Sequence, residues 1–254
     1  MTDDTRTTVR VTTTRHDAVA VVTIDRPPVN ALDDATVTEL AAVVSALVGD
    51  QGVRCVVFQG AGRMFSAGAD IGTLRDSLAD PGGPDAAARH VTRIQDLFAA
   101  VADLPVPTVA AVHRAAAGGG LELALACDLR IAGATARLGL PELGIGLIPA
   151  GGGTQRATRL LGPAQAARLV FEGELLDAAE ALRIGLVQYV VPDADVPAEA
   201  LRLAQRIAGR SRAALAAAKR CLSAPDMAHG FAAELSAARE LLATPETARL
   251  LASF

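Results

Sequence analysis

The sequence predicts an α/β protein that ends in an α-helical region. Three observations carry this. Short, continuous apolar runs of strand length alternate with segments of helical period over the first three quarters of the chain. Glycine clusters at 118–120 and 151–153 stand at the junctions. From Val196 onward only helical patterns remain. The division expected is a core over residues 1–195 and a helical oligomerisation or lid region over 196–254, with no internal repeat.

Residues 9–13 and 18–24 alternate as strands about a turn at 15–17, and Arg26-Pro27-Pro28 stops the second. Asp33 or Asp34 caps a helix through about Val48, whose apolar positions Val37, Leu40, Ala41, Val44 and Leu47 recur at helical spacing. Residues 55–58 form a buried, parallel-type strand. A loop of small residues follows at 60–70. The Asp-Pro-Gly-Gly-Pro run at 80–84 is the clearest flexible segment, within a stretch expected to be mobile over 73–89. A helix over 85–102 leads to a strand at 108–112. Gly118, Gly119 and Gly120 open a helix that runs to Cys127, and 129–132 is again strand. Beyond Gly153 the chain reads as mainly helical, with a late strand at 186–191. Thr244 caps the last helix, with Pro245 at its first position.

Composition narrows the function. With 254 residues, 51% of them hydrophobic, the chain can bury a sizeable core and is not globally disordered. Aromatics are only 3% and tryptophan is absent, which leaves little surface for stacking bases. The net charge of −4, from 24 Lys+Arg against 28 Asp+Glu, gives no basic footprint for nucleic acid or an anionic membrane. Glu122, Asp128, Arg130 and Glu142 interrupt the apolar stretches before the roughly 20 residues that a membrane span needs. Residues 1–10 are polar. A soluble, cytoplasmic protein is expected. Cys55, Cys127 and Cys221 are far apart and form neither a disulfide framework nor a zinc pattern, and the four histidines have no metal-ligand spacing.

The chemically informative stretch is 118–156. Three glycines between a strand and a helix leave helix-start N–H groups free, in the positive end of the helix dipole, with no side chain to block an approaching oxygen. Glu122 lies three residues beyond Gly119, on the same face of the first turn. A carboxylate beside free amide donors suits a general base next to an oxyanion site. Glu142, after Pro141, offers a second carboxylate. The same glycines also fit a tight packing turn, and the same glutamate fits plain dipole complementarity. Contiguous glycines without a following Gly-Lys-Ser/Thr fit neither a dinucleotide fingerprint nor a Walker loop.

Five motifs in register decide between these alternatives. They are Arg-Pro-Pro-Val-Asn-Ala-Leu at 26–32, Phe-Ser-Ala-Gly-Ala-Asp-Ile at 65–71, Gly-Gly-Gly-Leu-Glu-Leu-Ala-Leu-Ala-Cys-Asp at 118–128, Pro-Glu-Leu-Gly-Ile-Gly-Leu-Ile-Pro at 141–149 and Gly-Gly-Gly-Thr-Gln-Arg at 151–156. In order and spacing the set resembles the crotonase (enoyl-CoA hydratase/isomerase) family, from about residue 9 to the C-terminal helices. The resemblance implies a crotonase-type ββα spiral core, a homotrimer or homohexamer, and an enoyl-CoA or other acyl-CoA substrate. It implies no cofactor, coenzyme A being part of the substrate. Position by position, it implies an oxyanion hole from the N–H groups of Ala69 and Gly119, and acid/base roles for Glu122 and Glu142. Substrate and CoA contacts would come from Ala67, Gly68, Asp70, Ile71 and Gly118. The implied reaction is syn addition of water to the 2,3-double bond of a 2-enoyl-CoA, with Glu122 activating the water and Glu142 protonating C2. Two glutamates favour hydration over enoyl-CoA isomerisation and over a non-catalytic acyl-CoA-binding role.

Two departures stand out. His113-Arg114 replaces the family's usual Asn-Gly, and the C-terminus has only Arg249 where a basic tail often touches CoA. Ser66 lacks a nucleophile elbow and is expected in loop structure or CoA contact. Lys219 and Arg220 are expected on a solvated helix face, with CoA phosphates as the alternative partner.

Overall fold

The computed structural model describes residues 9–79 and 82–253. Most of the polar N-terminal stretch, and Asp80 and Pro81 of the segment expected to be flexible, lie outside the described residues.

The main sheet has six strands in the order β1 (Val11–His16), β2 (Val19–Ile24), β3 (Cys55–Gly60), β4 (Thr108–Val112), β6 (Leu129–Gly133) and β9 (Tyr189–Val191). Only β1 runs antiparallel to its neighbour. The central strands are apolar without alternation because both faces are covered. Ala20, Val22, Ile24, Val56, Phe58 and Ala110 join one core cluster, while Val19, Val21, Cys55, Val57, Val109 and Ala111 join a second on the opposite face. The period of two along each strand sorts them. α1 (Asp34–Gly49) and α3 (Gly83–Ala102) supply the helical side of the first cluster, and α8 (Val196–Ala208) seals the second through Val196, Ala200, Leu203 and Ala204. The first helix of the C-terminal region is thus one layer of the sheet's sandwich.

A smaller sheet turns across this frame: β5 (Ala115–Ala117), β7 (Arg137–Gly139) and β8 (Leu176–Asp177). The remaining helices are α2 (Ile71–Leu78), α4 (Gly119–Ala126), α5 (Gly153–Leu161), α6 (Pro163–Glu172), α7 (Ala178–Arg183), α9 (Arg212–Leu222), α10 (Met227–Leu242) and α11 (Pro245–Leu251). Among the described residues no helix is long and apolar enough to cross a membrane.

Several boundaries move from their expected places for identifiable reasons. β1 extends to His16 because the hairpin closes at the His16–Val19 pair around Asp17, which takes φ 53°. Beyond Val11 every residue of that strand is exposed, so no apolar alternation marked residues 14–16. Residues 73–89 are helical over most of their length. α2 is capped by Asp70, whose Oδ1 accepts from Thr73 N–H at 3.0 Å, but it is too polar to show a periodic apolar face. The late strand shrinks to Tyr189–Val191, because ahead of it side chains replace ladder partners: Arg130 N–H donates to Gln188 Oε1 and Arg130 Nε donates to Leu186 O. β5, β7 and β8, two or three residues each, were not anticipated.

Lys219 is neither solvated nor turned toward a phosphate. It is buried, with Nζ donating to Asp128 Oδ2 at 2.8 Å and Val106 O at 3.1 Å. Asp128 also accepts from Thr108 N–H and Oγ1, so α9 is fastened to the β4–β6 side of the sheet. Arg220 is exposed and pairs with Glu240.

Candidate active site

Two chain segments meet beneath a cleft that opens beside α3. The loop before α2 is registered by short parallel bridges, Leu32 with Ala69 and Ser66 with Ala116. Leu32 N–H donates to Gly68 O at 2.8 Å and Ala117 N–H to Ser66 O at 3.1 Å. Ser66 is fully buried. Its Oγ donates to Asn30 O at 2.7 Å and accepts from Gly68 N–H at 3.1 Å, which makes it a turn-builder with no access to a substrate. Gly68 has φ +87°, and a Cβ there would stand 2.6 Å from Gly119 N and 2.7 Å from Ala117 O. Only glycine lets the loop press this closely against the start of α4.

This approach brings Ala69 to Gly119. A Cβ placed on Gly119 would lie 3.5 Å from Ala69 N. As the first residue of α4, Gly119 has no intrahelical acceptor for its N–H. Both residues line the cleft, together with Asp70, Glu122 and Glu142. Ala67, Gly68, Ile71 and Gly118 do not line it. Ala67 N–H is used by Val29 O, Ile71 starts α2, and Gly118 backs Glu142. Asp70 acts on the loop itself, accepting from Thr73 N–H and pairing with Arg26 at 2.6 Å. Arg26 also reaches Asp33, the cap of α1, at 2.8 Å. One guanidinium thus ties two helix starts to the end of β2.

Glu122, in the first turn of α4, is only 4% exposed. Burial, and to a lesser degree the facing Glu142, push its carboxyl up to about 7, although Gly153 N–H donates to Oε1 at 2.8 Å and favours the ionised form. The glycine run before α5 makes room for it. A Cβ at Gly151 would lie 2.6 Å from Oε2, and one at Gly153 would lie 2.8 Å from Oε1. Glu142 sits in a 3-10 helix, Pro141–Ile145, immediately after β7. Its Oε1 would be 3.1 Å from a Cβ on Gly118, whose φ of +52° itself requires glycine. Oε2 of Glu142 is buried without a hydrogen-bond partner, and burial raises this carboxyl as well. The rest of the cleft is mostly apolar, with Leu32, Leu74, Val91, Ile94, Leu147 and Ile148 on its walls and a volume of about 920 Å³ including its open mouth.

The piece missed by sequence reasoning is the cradle of Gly151 and Gly153 around Glu122; the stretch 73–89, expected to govern the depth of the pocket, does line the cleft through α2 and α3. The glycine cluster was visible, but nothing local tied it to a carboxylate 31 residues earlier. The remaining outcomes are structural. Cys55 and Cys127 are buried, and burial pushes both thiols up to about 12. His113 faces Gly62 O, and burial lowers its pKa. Arg114 takes φ +59°, a left-handed conformation that is strained for a residue with a side chain. No group of three or more potential metal ligands occurs among the described residues.

Two desolvated carboxylates line one largely apolar cleft, beside a helix start with a free N–H, and carboxylates with perturbed pKa values in a cleft mark a candidate functional site. The comparisons specify the family. Residues 14–248 match the enoyl-CoA hydratase/isomerase family. The chain is 44% identical over 199 residues to a probable enoyl-CoA hydratase of Bacillus subtilis, covering 78% of this chain and 76% of that one. It is 38% identical over 207 residues to the short-chain-enoyl-CoA hydratase of Clostridium acetobutylicum, covering 81% and 77%. The crystal structure of an enoyl-CoA hydratase from Bacillus anthracis superposes with a TM-score of 0.91 at 32% identity, covering 97% of this chain and 96% of that one. The chain belongs to the enoyl-CoA hydratase/isomerase family and has the crotonase fold, whose enzymes act on acyl-CoA substrates.

Proposed function

We propose that the protein is a 2-enoyl-CoA hydratase. The observation that carries this is the pair of carboxylates, Glu122 and Glu142, both desolvated, both lining one cleft and electrostatically coupled. In the proposed reaction the thioester oxygen is held by Ala69 N–H and Gly119 N–H, each such donor contributing about 3 kcal/mol toward the enolate-like transition state. Glu122 takes a proton from the water whose oxygen bonds to C3. The π electrons move toward the thioester, and Glu142 delivers a proton to C2. A base with its pKa near neutrality combines a usable ionised fraction with strong proton affinity.

The hydratase names of the relatives support the same chemistry, and the apolar wall of Leu74, Val91 and Ile94 fits an acyl chain. A homotrimer or homohexamer is the proposed assembly, supported by the exposed apolar side chains Leu222, Met227, Phe231, Leu235 and Leu242 on α9 and α10. Light scattering reads it directly. The function is tested by following the conjugated enoyl-thioester absorbance of crotonyl-CoA. Hydration removes that absorbance. A protein that binds acyl-CoA yet leaves the absorbance unchanged across several chain lengths is not a hydratase.

A further inference from the structure

The cradle around Glu122 is itself held from behind. Arg156, one turn into α5, donates from Nη1 to Gly151 O at 2.9 Å, while its own backbone N–H bonds Gly152 O at 2.9 Å. Its guanidinium covers the α-carbon of Gly152, where φ is +105° and any side chain would collide with it. The two glycines on either side of Gly152 are those that touch the Glu122 carboxylate: Gly153 through its N–H, Gly151 through the space a methyl would fill. Arg156 is half-buried and forms no ion pair within 4.0 Å among the described residues, so a desolvated cation is committed to a single loop carbonyl.

We propose that Arg156 is a positioning residue for Glu122, clamping the Gly151–Gly153 loop against the carboxylate and supplying the cationic field that acts on it from behind. This rests on Glu122 being an acid/base group of the reaction. The charged groups around the pair come from four elements. Glu142 faces Glu122 from the 3-10 helix. Asp103, at the end of α3, attracts the guanidinium, Arg159 on α5 repels it, and the Cys127 thiol at the end of α4 is neutral. Among these, Arg156 is the group whose charge favours ionised Glu122. Removing it therefore makes Glu122 harder to ionise, and loosens the loop that aligns it.

The test compares Arg156→Gln and Arg156→Lys with wild type and with Glu122→Gln. The acid limb of kcat/KM for crotonyl-CoA is followed across pH 5–9, and melting is used to establish folding. Titration of the buried carboxyl is read independently of turnover, as the infrared carboxyl band that disappears in Glu122→Gln. In Arg156→Gln the acid limb and the infrared titration are both expected to move upward by about one pH unit. The value of kcat near neutral pH falls by about tenfold or more, and KM changes little. Arg156→Lys, which keeps the charge but not the fork, is expected to restore the position of the limb and part of kcat. A folded Arg156→Gln protein whose infrared titration stays in place overturns the proposal, as does a Lys variant whose limb shifts as far as that of the Gln variant. The parent claim fails separately, through a Glu122→Gln enzyme with wild-type turnover, whatever Arg156 does.

Discussion

Gly153 N–H reaches across 31 residues of sequence to donate a 2.8 Å hydrogen bond to Glu122 Oε1. The bond holds a carboxyl that burial nevertheless raises from its ordinary 4.5 to about 7. At about 1.36 kcal/mol per pH unit, that costs the folded protein about 3 kcal/mol once Glu122 is ionised. The sign follows from proton binding. Below pH 4.5 both states hold the proton. Between 4.5 and about 7 the folded state holds it longer, so stability falls as pH rises, and above that the full cost is present. Glu122→Gln, which carries no charge, is expected to melt close to wild type at pH 4.5 and at a higher temperature at pH 8. Melting by circular dichroism at the two pH values checks this, and a variant less stable than wild type at pH 8 would contradict it.

The same glutamine substitution should remove the reaction while sparing the fold. A positioned acid or base contributes about 10²- to 10⁴-fold. Glu122→Gln and Glu142→Gln are each expected to lose turnover within that range, with acyl-CoA binding changed far less. Steady-state kinetics beside a calorimetric binding measurement separates the two effects. A near-normal kcat in either variant removes that residue from the mechanism.

Gly151→Ala tests the cradle without touching a charge. The new methyl would stand 2.6 Å from Glu122 Oε2 and 3.0 Å from Ile94 Cγ2, so the carboxylate must shift. A displacement of that order at a reacting group costs roughly a hundredfold in rate. The expected result is a folded enzyme with kcat reduced to that degree. Unaltered kcat would mean that the position of Glu122 is not set by this contact.

Much of the frame could be read from the chain because local chemistry and tertiary environment agree there. α1 begins where Asp33 can accept from Thr36 N–H, as it does at 2.8 Å. α11 begins at Thr244 and Pro245, and β4 is the buried run 108–112. Glu122 and Glu142 were legible through motif spacing, as was the joining of Ala69 to Gly119. What could not be read depends on contacts between distant segments. Lys219 carries the same local signature as any helix-surface lysine. Its burial follows from Asp128, 91 residues away, which accepts its hydrogen bond beneath α9. α2 lacks an apolar stripe, and its start is visible only once Asp70 is seen accepting from Thr73. The cradle joins a glycine cluster to a carboxylate that no sequence window contains together.

Lys219→Met separates fold from function. Deleting the cation removes a charged hydrogen bond to Asp128 and leaves Thr108 as its remaining donor. A loss of about 1.5–3 kcal/mol is expected in urea denaturation, with kcat/KM unchanged at temperatures where the variant stays folded. A variant as stable as wild type would show that the Lys219–Asp128 pair contributes nothing net.

In the proposed reaction two carboxylates act on one water from the same side of the double bond. Hydration of crotonyl-CoA in D2O reads it directly, through the proton coupling between C2–H and C3–H in the 3-hydroxybutyryl product. Delivery of OD and D from one face gives a single product diastereomer with the syn relationship, and the label at C2 is stereochemically pure from the first turnovers. An anti product, or an initial mixture of both diastereomers, would contradict a site in which Glu122 and Glu142 share the water.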